Sequence, residues 1–164
     1  MLFRQVAFVP LVTCLLLAPS LTYGGEKEEA NKGITHRYAE ELWNQGKSSV
    51  IADLVAVDIV VHGAGFPDMK GQEAFSNSFS LFRHAFPDFH VTIDDMVAEG
   101  DKVAFRWTES GTHKEEYAGI TATGKHVRWT GMSVYRIANG KIAEMWVNNM
   151  DDLGLLQQLG AIPK

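Results

Sequence analysis

The spacing of apolar residues changes along this chain, and each change marks a different kind of element. Over residues 26–44 the composition favours helix, and Ile34, Tyr38 and Leu42 recur every four positions, on one face of a helical period. Gly46 follows as a stop. Ser48 or Ser49 can cap a short helix that turns Val50, Ile51 and Leu54 inward, after which residues 57–62 are β-branched enough for a strand. The run Gly63-Ala64-Gly65-Phe66-Pro67-Asp68 cannot continue that strand. Residues 71–86 return to helical spacing, with Phe75, Phe79, Phe82 and Phe86 as an aromatic stripe that reads as core.

Beyond Pro87 the texture is that of strands, rich in Val, Trp, Thr, Phe and Tyr, over residues 89–98, 103–110, 126–137 and 142–148. Glu99-Gly100-Asp101 and Ala138-Asn139-Gly140-Lys141 supply turns between them, and the Asn-Gly pair suits a tight hairpin that locks the last two strands antiparallel. A short helix over residues 152–159 closes the chain. Helices first and a meandering antiparallel sheet afterwards predict an α+β fold, with helices covering one face of a curved sheet. A sheet half covered in this way encloses a hollow.

The amino terminus stands apart from that pattern. Arg4 precedes an almost unbroken apolar run, Val6 to Ala18, too short to span a bilayer comfortably, and Thr22 and Gly24 offer small residues for a peptidase. Residues 1–24 are therefore expected to be a signal peptide, residues 25–164 one domain, and the destination the periplasm or the outside medium. Arg4 is the only charged residue of the leader, so the remainder carries fourteen basic against twenty acidic side chains, net −6. The single cysteine, Cys14, leaves with the leader, so neither disulfide nor thiol chemistry is expected of the domain. An acidic balance without a basic run argues against nucleic acid, and against an anionic membrane surface after cleavage.

Several familiar chemistries lack the spacing they need. The histidines, at 36, 62, 84, 90, 113 and 126, include no pair at zinc-ligand spacing on a helix. Gly63-Ala64-Gly65 is only a fragment of a dinucleotide fingerprint, and no Gly-x-Ser-x-Gly elbow occurs.

Several blocks, in order over residues 30–163, resemble the SnoaL-like polyketide cyclase family of the nuclear transport factor 2-like superfamily. They include Ala85-Phe86-Pro87-Asp88, Glu99-Gly100-Asp101-Lys102-Val103-Ala104, Arg106-Trp107, Gly111-Thr112-His113, Thr123-Gly124-Lys125, Tyr135-Arg136, Asn139-Gly140-Lys141-Ile142-Ala143-Glu144-Met145-Trp146 and Gln158-Leu159-Gly160-Ala161-Ile162-Pro163. The resemblance implies a cone-shaped curved sheet wrapped around the N-terminal helices, a pocket inside the cone, and ring closure by aldol chemistry without metal or cofactor. It also places the cyclases' acid/base aspartate at Val147, or at Asn148 if the strand bulges, and their histidine at Ser133.

Without that aspartate, His62 is the first candidate general base or hydrogen-bond donor, its alternative being a strand-end histidine half in solvent. Arg106 has two readings: an anchor for an enolate or carboxylate oxygen, or an outer-face cation paired to an acid. His113 lines the pocket mouth or caps its loop. Trp129, Ser133 and Tyr135 share one strand face, as do Met145, Val147 and Asn149 on the next. With Phe66, Phe82, Trp107 and Asn148 they complete the expected pocket wall, or else a plain core. Asp151, just before the last helix, suits a capping role better than catalysis. The expected function is binding of a small apolar or carbonyl-containing molecule, with cofactor-free cyclase- or isomerase-type proton transfer. The alternative is a non-catalytic ligand- or protein-binding domain. A homodimer through the outer sheet face is a further expectation.

Overall fold

The computed structural model describes residues 22–63, 67–149 and 152–163. Helix α1 (Thr22–Arg37) runs into a π-helical segment (Tyr38–Asn44), and a 3-10 turn (Ser48–Val50) leads into the single turn of α2 (Ile51–Leu54). Strands β1 (Val55–Gly63) and β2 (Met69–Lys70) precede α3 (Gln72–Ala85). Strands β3 (His90–Glu99), β4 (Lys102–Thr112), β5 (His126–Ala138) and β6 (Lys141–Asn149) follow, then α4 (Asp152–Leu159). The strands form one sheet in the order β2-β1-β6-β5-β4-β3. The fold is α+β, as expected, with a curved and mostly antiparallel sheet against the N-terminal helices. One pairing departs from a plain meander: β1 lies parallel to β6. It can do so because α3 and four further strands separate the two in sequence, ample length for a crossover.

The π-helical segment is what the four-residue spacing of Tyr38 and Leu42 had recorded as ordinary helix. Its wider turn is closed by Gln45 N–H donating to the Glu40 carbonyl at 3.0 Å, a five-residue step. The effect is to bring Tyr38 and Trp43, five apart, edge to face with ring centroids 6.2 Å apart. Side-chain amides fasten this helical layer to the edge strand. Asn44 both accepts from Val91 N–H at 2.8 Å and donates to the Val91 carbonyl at 3.0 Å, and Asn31 donates to the carbonyl of Gly100 in the β3–β4 turn at 3.1 Å.

At the other side, β6 pairs with β5 only from Gly131 onward. The Gln158 side chain of α4 takes over there, accepting from Arg128 N–H at 3.0 Å and donating to its carbonyl at 2.8 Å. The core lies between helices and sheet, with Leu42, Leu54, Ile59, Phe86, Ile142 and Met145 almost wholly buried. Burial of each such side chain stabilises the fold by roughly 1.5–3 kcal/mol. Gly131 marks the tightest approach within it: a Cβ there would overlap the Trp107 ring and lie 2.6 Å from the Asn148 carbonyl oxygen.

Candidate functional site

Strict alternation on β4 turns Val103, Phe105, Trp107 and Glu109 to the helical side of the sheet, and pairing with β5 sets Phe105 opposite Ser133, Trp107 opposite Gly131 and Glu109 opposite Trp129. Because Gly131 has no side chain, the Trp107 indole lies over it and donates from Nε1 to Ser133 Oγ at 2.9 Å. Between this face and the helices is a cavity of about 170 Å³. Tyr38 and Trp43 enter it from the π-helical segment, Phe75, Ser78 and Phe79 from α3, and Val61 from β1. Trp107, Ser133, Tyr135, Met145 and Val147, all expected in the pocket wall, line it.

The other candidates lie elsewhere. Val61 points into the cavity, so its neighbour His62 points out of the opposite face of the sheet. There its Nδ1 and Nε2 each lie 3.0 Å from a carboxylate, of Asp68 and Glu144 respectively, and its ring stacks on Trp146 at 5.3 Å. Arg136 Nε also meets Glu144, at 2.9 Å. Glu144 first and Asp68 second hold the His62 imidazolium above its ordinary value of 6.5. Arg106 alternates outward in the same way and bonds Asp94 at 2.9 Å, the outer-face reading of that residue.

Phe82 packs instead in an aromatic cluster with Trp43, Phe86 and Phe89. Trp129 is buried behind the cavity wall, and Asn148 is exposed. Phe66, Asp151 and the Asn149 side chain lie outside the described residues.

His113 is fully buried and stacks on Phe86 at 5.2 Å. Thr123 N–H donates to its Nδ1 at 3.3 Å, which assigns the neutral ring's proton to Nε2, and that atom has no partner among the described residues. Burial lowers its basicity below the ordinary 6.5. A lowered folded-state value means that the unfolded chain binds the proton first, so this contribution to stability is lost as pH falls below about 6.5. Urea denaturation from pH 8 to pH 5 is expected to show wild-type stability falling, relative to His113→Asn, on the acid side. The Asn variant keeps an acceptor for Thr123 N–H but cannot titrate.

The residue that sequence reasoning passed over is Glu109. It is the only carboxylate, and the only Asp, Glu, Lys, Arg or His, among the described residues lining the cavity. It is half-buried in the cavity lining, and burial pushes its carboxyl up to about 8 even though the Trp129 side chain bonds it. Tyr38 Oη contacts Met145 Sδ at 3.8 Å, and burial holds both Tyr38 and its neighbour Tyr135 well above the usual phenol range. The cavity thus offers one poised carboxyl and two phenol hydroxyls that stay protonated, set in aromatic walls.

The family model of the SnoaL-like polyketide cyclases matches residues 34–159. The chain is 28% identical to the aklanonic acid methyl ester cyclase DnrD of Streptomyces peucetius over 125 residues, 73% of this chain and 84% of that protein. The crystal structure of IdmH from Streptomyces antibioticus superposes with a TM-score of 0.68 at 30% identity, covering 79% of this chain and 98% of that one. A SnoaL-like protein from Jannaschia sp. CCS1 shares the fold at a TM-score of 0.76 and 20% identity, over 83% and 95% of the two chains.

Proposed function

Because the chain belongs to the SnoaL-like polyketide cyclase family, which fits a cyclase- or isomerase-type role, we propose that it catalyses proton transfer on an enolisable carbonyl compound held in the cavity, with Glu109 as the acid/base group. The observation that carries this reading is a lone carboxyl, pushed up to about 8, inside an aromatic cavity. Such a group is a far stronger base than an ordinary carboxylate and still ionises near neutral pH. Ionised Glu109 takes the proton from the carbon next to the carbonyl, and the C–H electron pair passes into the enolate. The Tyr38 hydroxyl, which also meets the Trp43 and Tyr135 side chains, turns its proton from the Met145 sulfur to the enolate oxygen. The acid form of Glu109 then returns the proton, either to another atom of the conjugated enolate or, where the enolate carbon attacks a second carbonyl, to the alkoxide that this attack creates.

Glu109 on β4 takes the role here that the cyclases give to an aspartate, whose position the resemblance puts at Val147 or Asn148. Tyr38→Phe is expected to keep the fold and lower kcat by about a hundredfold, with KM changed less, since the lost donor acts on charge that develops in the transition state. The primary test is NMR of acetophenone in heavy water. Wild-type protein should exchange its α-protons for deuterium faster than buffer does, and exchange no faster than buffer would remove the catalytic reading.

A second reading, a non-catalytic binding domain, is favoured by Val147 and Ser133 standing where the cyclases carry their aspartate and histidine. Ligand retention without exchange or turnover would identify it. We propose as well that the protein is exported through its amino-terminal apolar run and pairs through the outer sheet face, where Met132 is 47% exposed. Light scattering at micromolar concentration should then give twice the monomer mass.

A further inference from the structure

We infer that the cavity selects a neutral, single-ring ligand bearing one short carbonyl arm, and rejects both multi-ring and anionic molecules. The inference rests on the cavity assigned above as the site, but not on its catalysing anything. Size supplies the first argument. A cavity near 150 Å³ lined by apolar side chains holds one benzene ring, whereas pockets for drug-sized molecules begin near 300 Å³. At about 170 Å³ this one has room for a ring and a short arm, on the order of ten non-hydrogen atoms.

The walls supply the second. Trp43, Phe75, Phe79, Phe105 and Trp107 present ring edges and faces from helices and sheet alike, suited to an aromatic or flat cyclic guest. Enlarging the cavity would require moving residues already locked together: Trp43 lies edge to face with Phe79 at 5.0 Å, and Phe105 with Tyr135 at 4.8 Å.

Charge supplies the third. No Lys, Arg or His is among the described residues lining the cavity, so a buried carboxylate or phosphate on the ligand would have no counter-ion. The titratable groups that face Glu109 are Tyr38 from the π-helical segment and Tyr135 from β5. The lining residues of β3 and α3, Val91, Phe75, Ser78 and Phe79, are uncharged. Ionisation of Glu109 therefore adds an uncompensated negative charge, which repels an anion and leaves a neutral ketone almost indifferent.

Isothermal titration of the purified protein with acetophenone, 2-acetylnaphthalene and benzoate, at pH 7 and pH 9, tests each argument without turnover. Acetophenone should bind at both pH values with affinities within threefold. The naphthyl ketone should bind at least about tenfold more weakly despite its greater apolar area. Benzoate should bind at least about tenfold more weakly than acetophenone at pH 7, weaken further at pH 9, and recover about tenfold at pH 9 in Glu109→Gln. Absence of acetophenone binding up to its solubility limit overturns the inference. So does a naphthyl ketone that binds as tightly, a benzoate within threefold at pH 9, or a benzoate affinity that Glu109→Gln leaves unchanged. Binding with these preferences but no α-proton exchange would retire the catalytic reading and leave this one standing. Turnover confined to multi-ring ketones, and lost in Glu109→Gln, would do the reverse.

Discussion

Glu109→Gln should lower kcat/KM for α-proton transfer by about 10²–10⁴-fold while making the protein more stable in alkaline buffer, and the pairing of these opposite effects separates a chemical role from a structural one. The first effect follows from removing the only carboxylate among the described residues that line the cavity. With its carboxyl near 8, about one-tenth of Glu109 is ionised at pH 7, so wild-type kcat/KM should rise about tenfold per pH unit below 8 and level off above it. The glutamine variant should show a low, flat profile.

The stability effect has its own sign. In the unfolded chain the carboxyl ionises near its ordinary 4.5, whereas in the fold it keeps its proton until about 8. Between those values the folded state binds more protons than the unfolded, so wild-type stability declines as pH rises through that window. A glutamine side chain in place of Glu109 has no carboxyl proton to lose and still offers an oxygen to the Trp129 side chain. At pH 9 the variant should therefore unfold at higher urea, by at least about 1 kcal/mol. A variant that lost activity and stability together at pH 9 would mean that Glu109 is a structural residue.

Most of the fold was legible in the chain because its signals are local. Runs rich in β-branched and aromatic residues located the strands, the Asn-Gly pair marked the β5–β6 hairpin, and the expected final helix coincides with α4 (Asp152–Leu159). What was not legible is what depends on distant pairing or on the backbone's choice between similar helices. The parallel register of β1 on β6 joins residues more than eighty apart, and the π-helical turn at Tyr38–Asn44 differs from α-helix by one hydrogen-bond step.

The site turned on parity. His62 was singled out by residue type and its place at a strand end, and Arg106 as a cation among apolar strand residues. Each is one residue out of step with neighbours that point inward, Val61 and both Phe105 and Trp107, and a single step along a strand reverses the face. Glu109 is in step with Phe105 and Trp107, so alternation applied along β4 would have placed the acid inside the cone. The aromatic stripe of α3 was legible in the same way. It divides along its length, however: Phe75 and Phe79 line the cavity while Phe82 and Phe86 pack beyond it.

The largest loss of stability is expected at Gly131, where the fold has allowed for no side chain. In Gly131→Ala the new methyl would overlap Cζ2 and Cη2 of Trp107 and press on the Asn148 carbonyl oxygen at 2.6 Å. Neither neighbour yields easily. The Trp107 indole is held by its bond to Ser133 Oγ, and Asn148 pairs with Met132 in the β5–β6 ladder. Overpacking at such a site costs about 3 kcal/mol, and for a domain of this size the melting temperature should fall by roughly 10 °C. The open direction for Trp107 is the cavity itself, so whatever folded protein remains should also fail to bind acetophenone. Trp107→Phe in the same chain removes the two ring atoms that collide and leaves the carbonyl contact. The double variant should therefore recover more than half of the lost stability, although Trp107→Phe alone destabilises by opening a void. That non-additivity is the signature of a direct steric contact. If the two losses simply add, Gly131 is required for the backbone of β5 and not for the place it leaves to Trp107.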